Sequence, residues 1–483
     1  MKIIASAVAL LSTVSAATGT TYHEDPTMHL TGWHNRNQVS PEEDTKPVHI
    51  GSIQAEPVHW NLTASIDKFC DFMVSAGAAN MDLVALSEGF LSGYPWFNFF
   101  ASTYDMASNS KISQLFAENS LQVGSAEMAR VQECIAEAGV NVVLPINERD
   151  DKGSQAAVFN TALFIDKSGE IIGRHRKTLP SFTERFWWTQ GDGTDLVVVD
   201  MPDVGRVCSL LCWESYLVLA CYTLMAHGCE FLVVPTQDIG SIWESHVSDI
   251  AREGRWYVIA QGQVVAPYGE AMQRSAIAGT HTQPGGSQWY PRLLEGFKNA
   301  YGCTGSPLIA NATETVNRQN LLRGSSATAA KESQKNVVDT VSWIPEPVPL
   351  DQAVEKCATY FMDGGMSIAD PNGRFLVNPI HSNYMYADTV NAARSGCVHS
   401  LGPGIPEESH CEFVEVDGYN RDEEFIVLAN ASRGEVLASK LYQDNVGNYA
   451  RTDIWKVEWD NAPQDYIFET AGNSNGNQHG NGL

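Results

Sequence analysis

The sequence predicts an α/β fold in which helices cover largely buried sheets. The first observation behind this is that apolar runs of strand length alternate with stretches of helical spacing from about residue 46 to residue 267. The second is composition: 43% of the 483 residues are hydrophobic and 18% are charged, the proportions of a well-cored globule rather than a disordered or fibrous chain. Such a length fits one large domain with insertions or two to three ordinary ones.

Residues 17–45 are polar and without sustained periodicity, and predict an extension. Its His23, His29 and His34 lack any fixed geometry, so no metal site is expected there. Order begins at VHIGSIQAEPV, a buried-strand pattern. NLTASIDKFCDFMVSAGAAN then places Ile66, Phe69, Phe72 and Met73 at helical spacing behind a cap at Asn61 or Thr63. MDLVALSEGF is a short strand leading to Glu88. A helix through EMARVQECIAEAG, the strands NVVLPINE and AVFNTALFID, the turn KSGE and the strand IIGRHRK follow. The next pieces are the strand GRVCSLLC, a helix through ESYLVLACYTLMAHG, the strand EFLVVPTQ, a helix in SHVSDIAREGRW and the strand YVIAQGQVV.

Regularity lapses at about 268–355, where YPRLLEGFKNAYG is the conspicuous amphipathic piece. Sheet-like sequence returns in GGMSIADPNGRFLVNP, whose DPNG is a hairpin turn signal. A second irregular stretch, about 386–422, precedes EEFIVLANA and the last ordered part, LASKLYQDNVGNYARTDIWKVEWD. Residues 461–483 form a Gly/Asn-rich tail, expected to be disordered.

The formal net charge of −26 repels phosphate backbones and anionic lipid, so no nucleic-acid or membrane-surface partner is expected. Residues 1–16 carry Lys2, an apolar run Ile3 to Leu11 and the small-residue pattern Val14-Ser15-Ala16, which predict a signal peptide and a secreted protein. No other run approaches the roughly 20 residues a membrane-spanning helix needs. Glycosylation sequons at Asn61, Asn311 and Asn430 fit the same compartment. The 10 cysteines contain no CxxC pair, so zinc-ligand spacing is absent and no metal is expected.

The chain has no GxSxG elbow, Walker loop, HExxH or GxGxxG. Reactive groups instead lie at strand ends. Glu88 terminates an apolar strand, a costly place for a carboxylate unless it is paired, functional or capping the next turn. Tyr94, Trp96 and Phe97 follow it and are candidates for a pocket lining. Lys177 ends another strand, where it is either an ordinary solvated lysine or a cation held beside a carboxylate to stabilise developing negative charge. Glu184 follows it, and the bulky Trp187 and Trp188 are further candidates for the pocket lining. Cys212 ends GRVCSLLC at a strand-to-helix corner. That corner aims a nucleophile, supplies backbone N–H groups and is expected to lower the thiol pKa, though a buried structural cysteine is the alternative. Cys208 shares its strand face but lies roughly 13 Å away at about 3.3 Å per residue, too far for a disulfide.

Together, LSEGFLSGYPWF, GRHRKTLPSFTERFWWTQGDGTD and LLCWESY resemble the nitrilase branch of the carbon–nitrogen hydrolase superfamily. NVVLPINERD, FNTALFIDKSGEIIG and REGRWYVIAQGQVV extend the likeness over about 46–267, and the late hairpin and C-terminal segment resume it. The resemblance implies a four-layer αββα sandwich over 46–460, with 268–355 and 386–422 as insertions. Cys303, Cys357, Cys397 and Cys411 are suspected to staple those insertions. It further implies Glu88 as general base, Lys177 as anion stabiliser, Cys212 as nucleophile, Glu184 as supporting carboxylate and the Trp213 N–H as an oxyanion donor. No cofactor is implied. The expected partners are a small nitrile or amide and a second copy of the chain, docked through 214–228 into a homodimer or higher homo-oligomer. The implied activity converts a nitrile to acid and ammonia; a nitrile or cyanide hydratase, a secreted vanin- or biotinidase-like amidase and an inactive binding protein are the alternatives. Ser87, Ser215 and Asn448 depart from residues usual in the family and bear on substrate range and filament assembly.

Overall fold

A computed structural model describes residues 46–58, 61–91, 93–95, 113–114, 116–150, 157–237, 241–265, 362–377, 411–419 and 424–461. The expected signal peptide 1–16, the extension 17–45, the insertion 268–355, Trp96, Phe97 and Asn311 lie outside the described residues, as does the tail beyond residue 461.

The chain first lays down β1 (Pro47–Gln54), β2 (Leu83–Ala85), β3 (Asn141–Arg149), β4 (Val158–Ile165) and β5 (Ile171–Arg176). It then builds β6 (Val198–Met201), β7 (Gly205–Ser209), β8 (Phe231–Pro235), β9 (Tyr257–Val265), β10 (Met362–Ala369) and β11 (Phe375–Val377). Finally β12 (Cys411–Glu415) and β13 (Phe425–Ser432) return to the first group. Among the described residues this gives a sheet of order β12-β13-β1-β2-β3-β4-β5 and a second of order β11-β10-β9-β8-β7-β6. Each has a parallel centre, β1-β2-β3 and β7-β8-β9, with antiparallel strands on both sides.

The helices α1 (Leu62–Ala78), α2 (Ala126–Ala138), α3 (Val218–Ala226) and α4 (Ser241–Gly254) cover the outer faces, and α5 (Arg433–Tyr442) follows β13. The apolar strands alternate between two interiors. In β3, Val143 packs between the sheets while Val142 and Leu144 pack under α1 and α2, beside Phe69, Phe72, Met128 and Val131. In β8, Phe231 and Val233 face the inter-sheet layer while Leu232 and Val234 meet Leu224, Trp243 and Val247 of α3 and α4. Burial on both faces explains why these strands read as continuous apolar runs. The layers are helix, sheet, sheet, helix: the expected αββα sandwich.

Local signals account for the helix ends. Asn61 caps α1 by accepting from the Ala64 N–H at 3.0 Å, and Gly139 ends α2 at a left-handed φ of 68°. In the late hairpin, the Gly373 N–H donates to the Asp370 carbonyl at 2.9 Å, and Gly373 takes a φ of 78° that only glycine adopts easily. Asn448, the departure in the C-terminal segment, donates to the Lys440 and Leu441 carbonyls at 3.2 and 3.1 Å and so closes the end of α5.

Disulfides join Cys70 to Cys134 and Cys208 to Cys229, with Cα separations of 5.3 and 6.0 Å. Cys208 therefore pairs away from Cys212, which remains a thiol along with Cys221. Cys411 is also disulfide-bonded; the other three suspected staples lie outside the described residues.

Two boundaries differ from the sequence reading. The helix read through ESYLVLACYTLMAHG is broken: a 3-10 turn covers Cys212–Tyr216, Leu217 is extended, and α3 starts at Val218. Within the second irregular stretch, Cys411–Glu415 forms edge strand β12, paired with β13.

Candidate active site

The reactive side chains sit just beyond the C-terminal ends of strands, where open α/β sheets leave a crevice. Glu88 follows β2, Lys177 follows β5 and Cys212 follows β7. The Lys177 N–H still donates to the Asn160 carbonyl of β4 at 2.8 Å, which fixes where its side chain departs. Glu184 lies on the 3-10 turn Phe182–Phe186, and its Oε2 accepts from the Ser181 N–H at 2.6 Å.

These groups converge. The Lys177 ammonium donates to Glu88 Oε1 at 2.8 Å and to Glu184 Oε2 at 2.9 Å. Asn160 Nδ2 donates to the same Glu88 oxygen at 2.7 Å, and Gln237 Nε2 to the Glu88 carbonyl at 3.0 Å. Glu88 Oε2 is buried and accepts no hydrogen bond among the described residues. The Tyr94 hydroxyl donates to Glu184 Oε1 at 2.6 Å, and the Tyr94 ring meets the Trp188 ring edge-on at 5.4 Å. Trp188 is anchored by its indole N–H on Asn147 Oδ1 at 3.0 Å, and the Lys177 ammonium lies 5.8 Å from its ring centre.

Cys212 occupies a left-handed φ of 55°, unusual for a residue with a side chain and a recurrent feature of functional corners. Its carbonyl accepts from the Ser215 hydroxyl at 2.8 Å, and its sulfur accepts from the Thr236 hydroxyl at 3.3 Å. Glu88, Lys177, Glu184 and Cys212 are all buried, with exposures of 0%, 0%, 4% and 5%.

Burial and charge set the protonation. Burial raises the Glu88 carboxyl to about 7 against the pull of Lys177. Burial presses the Lys177 ammonium toward neutrality, but Glu184 and Glu88 outweigh it and hold its pKa above the ordinary lysine value. The Cys212 thiol is pushed up, first by burial and then by the Glu88 charge, with Lys177 opposing. This corrects the expected lowering: the helix behind Cys212 is a single 3-10 turn, and desolvation beside a carboxylate dominates. A thiol needing a base therefore lies beside a carboxyl that is half ionised near neutral pH, with a fixed cation at hand to meet negative charge.

Of the expected pocket residues, Tyr94 and Trp188 join the site. Trp187 is half-buried with its ring against Phe116 at 6.2 Å. The sequence reading missed Asn160, Thr236 and Gln237. Their signal was a pair of polar residues in or just after an apolar strand, Asn160 with Thr161 in FNTALFI and Thr236 with Gln237 in FLVVPTQ, which must find partners once buried. Among the described residues no group of three or more His, Cys, Asp or Glu is placed to hold a metal ion.

The fold and this cluster define a class, a four-layer αββα sandwich with a buried cluster of carboxylates, lysine and cysteine at its strand ends. The family model for carbon-nitrogen hydrolases matches residues 49–283. A nitrilase from an unknown prokaryotic organism is 34% identical over 227 residues, covering 46% of this chain and 70% of its own length. A nitrilase of Talaromyces marneffei is 30% identical over 285 residues, 55% of this chain and 82% of the relative. The crystal structure of a carbon-nitrogen hydrolase from Helicobacter pylori G27 aligns over 84% of this chain and 97% of its own, at 14% identity and a TM-score of 0.45. The chain belongs to the nitrilase branch of the carbon–nitrogen hydrolase superfamily and is a hydrolase of carbon–nitrogen bonds other than peptide bonds.

Proposed function

We propose that the protein is a secreted nitrilase that converts a small nitrile to its carboxylic acid and ammonia on Cys212. The observation that carries this is the joint hydrogen bonding of Lys177 to Glu88 and Glu184, fully buried and acting electrostatically on the Cys212 thiol. Ionised Glu88 takes the thiol proton. The sulfur then bonds to the nitrile carbon, one C–N π bond breaks, and the nitrogen takes the proton held by Glu88, giving a thioimidate. A water loses a proton to Glu88 as it adds to the carbon. The nitrogen takes that proton and then, as the added hydroxyl gives up its own proton through Glu88 and becomes the carbonyl, a second one; the C–N bond breaks, ammonia leaves and a thioester remains. A second water, activated in the same way, releases the acid and restores the thiol, so two waters are consumed per nitrile. Lys177 and the Trp213 backbone N–H face the charge that builds at each addition. Glu184, held by Tyr94 and Ser181, keeps Lys177 in place.

Release at the first tetrahedral adduct would give the amide instead, and a bifunctional nitrilase/nitrile hydratase of Nicotiana tabacum is 28% identical over 231 residues, covering 47% of this chain and 64% of its own length. A panel of nitriles scored for ammonia, acid and amide tests the assignment. Cys212→Ala is expected to abolish all three products; retained turnover would overturn it.

Export is supported by the N-terminal apolar segment and by the Cys70–Cys134 and Cys208–Cys229 bridges, which suit an oxidising compartment. Asn430 is exposed on β13 and Asn61 half-exposed at the start of α1, both open to glycan attachment. A homodimer through 214–228 is supported by the exposed apolar run Tyr216, Leu217, Val218 and Leu219, of which Val218 is 75% exposed. Paired Val218→Asp and Leu219→Asp substitutions are expected to give a monomer on size-exclusion chromatography; an unchanged elution volume would remove this surface from the assembly.

A further inference from the structure

Lys177 and Cys212 arise from different sheets, so no strand ladder fixes one against the other. One buried side chain bridges them. Glu214, two residues past Cys212, accepts four hydrogen bonds. Its Oε1 takes the Thr178 N–H at 2.7 Å and the Thr178 hydroxyl at 2.5 Å. Its Oε2 takes the Leu211 N–H at 2.9 Å and His175 Nε2 at 2.7 Å. Thr178 directly follows Lys177, and Leu211 directly precedes Cys212. A single carboxylate therefore clasps the backbone beside the cation to the backbone beside the thiol. Gln237 makes the matching tie on the other side, since Thr236 bonds the Cys212 sulfur and Gln237 bonds the Glu88 carbonyl.

The charge of Glu214 is balanced within the same cluster. His175 is fully buried, and its two ring nitrogens face acceptors on both sides, the Asp195 carbonyl at 2.6 Å and Glu214. Neutral imidazole carries one N–H, so satisfying both acceptors requires the imidazolium. Burial alone would deprotonate it, but the Glu214 charge raises its pKa, while His175 offsets burial in lowering that of Glu214.

We propose that Glu214 is a positioning residue that holds the Lys177 ammonium against the Cys212 thiol, and that the His175 imidazolium keeps it ionised for that purpose. The inference rests on the reading of Cys212 as nucleophile. It makes Glu214 act through Thr178 and Leu211, without touching the substrate. A glutamine at 214 would turn an NH2 toward two donors on one side, loosening either the Lys177 end or the Cys212 end. Misplacement on the scale of 1 Å costs about a hundredfold in rate.

The test uses the full-length protein and two readouts, alkylation of Cys212 by iodoacetamide across pH, with the labelled site identified by mass spectrometry, and kcat and KM on an accepted nitrile. For Glu214→Gln the alkylation midpoint is expected to move to higher pH by about one unit, and kcat per labelled site to fall about 10- to 100-fold with KM within about threefold. Thr178→Ala is expected to move both in the same direction by less, and Thr178→Ser to restore them. A purely structural role would lower the labelled fraction but leave the midpoint and the kcat per labelled site unchanged, and that result would overturn the proposal. Should the Glu214 variant fail to fold, the Thr178 pair decides: identical midpoints for the alanine and serine variants would overturn it. Failure of the wild-type protein to be labelled at Cys212 would overturn the nucleophile reading instead, and this inference with it.

Discussion

Lys177 stands between two buried carboxylates, 2.8 Å from Glu88 and 2.9 Å from Glu184, with no solvent exposure of its own. One cation thus serves two acids in a space that water does not screen. Glu184 is further held by Tyr94 and Ser181, whereas Glu88 Oε2 accepts no hydrogen bond among the described residues. The asymmetry separates a carboxylate that anchors from one that can take a proton.

Removing that cation is expected to harm both rate and stability. Lys177→Met should lower kcat/KM by about 10²-fold or more, the usual loss when one preorganised stabiliser of developing charge is deleted. Two carboxylates would then face each other in the interior, and breaking a buried pair costs about 3–5 kcal/mol. Protonation relieves that cost, so the drop in Tm should be larger at pH 8 than at pH 5.5. An equal drop at both values would show that the two acids do not depend on Lys177.

Tyr94 offers a milder probe. Tyr94→Phe deletes one donor to Glu184 and leaves the bonds from Lys177 and Ser181. The expected cost is about 1.5–3 kcal/mol in unfolding free energy, appropriate to a hydrogen bond on a charged group, with a several-fold fall in kcat. Burial, and then the Glu184 charge, hold the Tyr94 hydroxyl well above the ordinary tyrosine pKa, so it stays a donor. The ratio of wild-type to variant activity should therefore be flat from pH 6 to pH 9.

How far the sequence was legible follows from these same residues. Strands such as β3 and β8 were readable because burial on both faces leaves an unbroken apolar run. The break at Leu217 was not, because apolar spacing continues through it while the chain turns to seat Cys212 at a positive φ. Edge strand β12 was hidden for the opposite reason: the exposed Glu412 and Glu415 interrupt its short apolar pattern, and it reads as loop. Glu88, Lys177 and Cys212 were visible as reactive residues at strand ends. Asn160, Gln237 and Glu214 were not, since each matters through a partner from a distant element. The direction of the Cys212 shift was misread because local backbone dipoles are visible in sequence, whereas desolvation and the Glu88 charge are properties of the packed site.

The bridge from Cys208 to Cys229 pins the strand that feeds Cys212, and both cysteines are fully buried. It closes a loop with a sequence separation of 21, for which chain-entropy reasoning gives about 3 kcal/mol. The double variant Cys208→Ser with Cys229→Ser should therefore melt earlier while keeping kcat per folded molecule near wild type. Dithiothreitol added to the folded protein should leave this bridge intact, as counted by mass spectrometry after alkylation. A fall in kcat at unchanged Tm would instead make the bridge part of the site's alignment.

The pH behaviour of Glu88 ties rate to stability with opposite signs. As the proposed base, Glu88 must be ionised, so kcat/KM should fall about tenfold per unit as pH drops below its pKa of about 7. Stability runs the other way. The folded pKa is raised from 4.5 to about 7, so the folded state retains a proton that the unfolded chain has already lost. The stabilising contribution is complete below about pH 4.5 and is lost as pH rises through about 7. The difference, 7 − 4.5 = 2.5 units, sets a ceiling of about 3 kcal/mol at 1.36 kcal/mol per unit. Glu88→Gln cannot ionise and escapes this loss. Its Tm relative to wild type should rise steadily from about pH 4.5 to pH 7 and then level off, while its activity stays near zero throughout. A Tm difference that is flat across this window, together with an activity limb near pH 4.5, would mean that Glu88 sits as an ordinary ionised carboxylate and that another group receives the thiol proton.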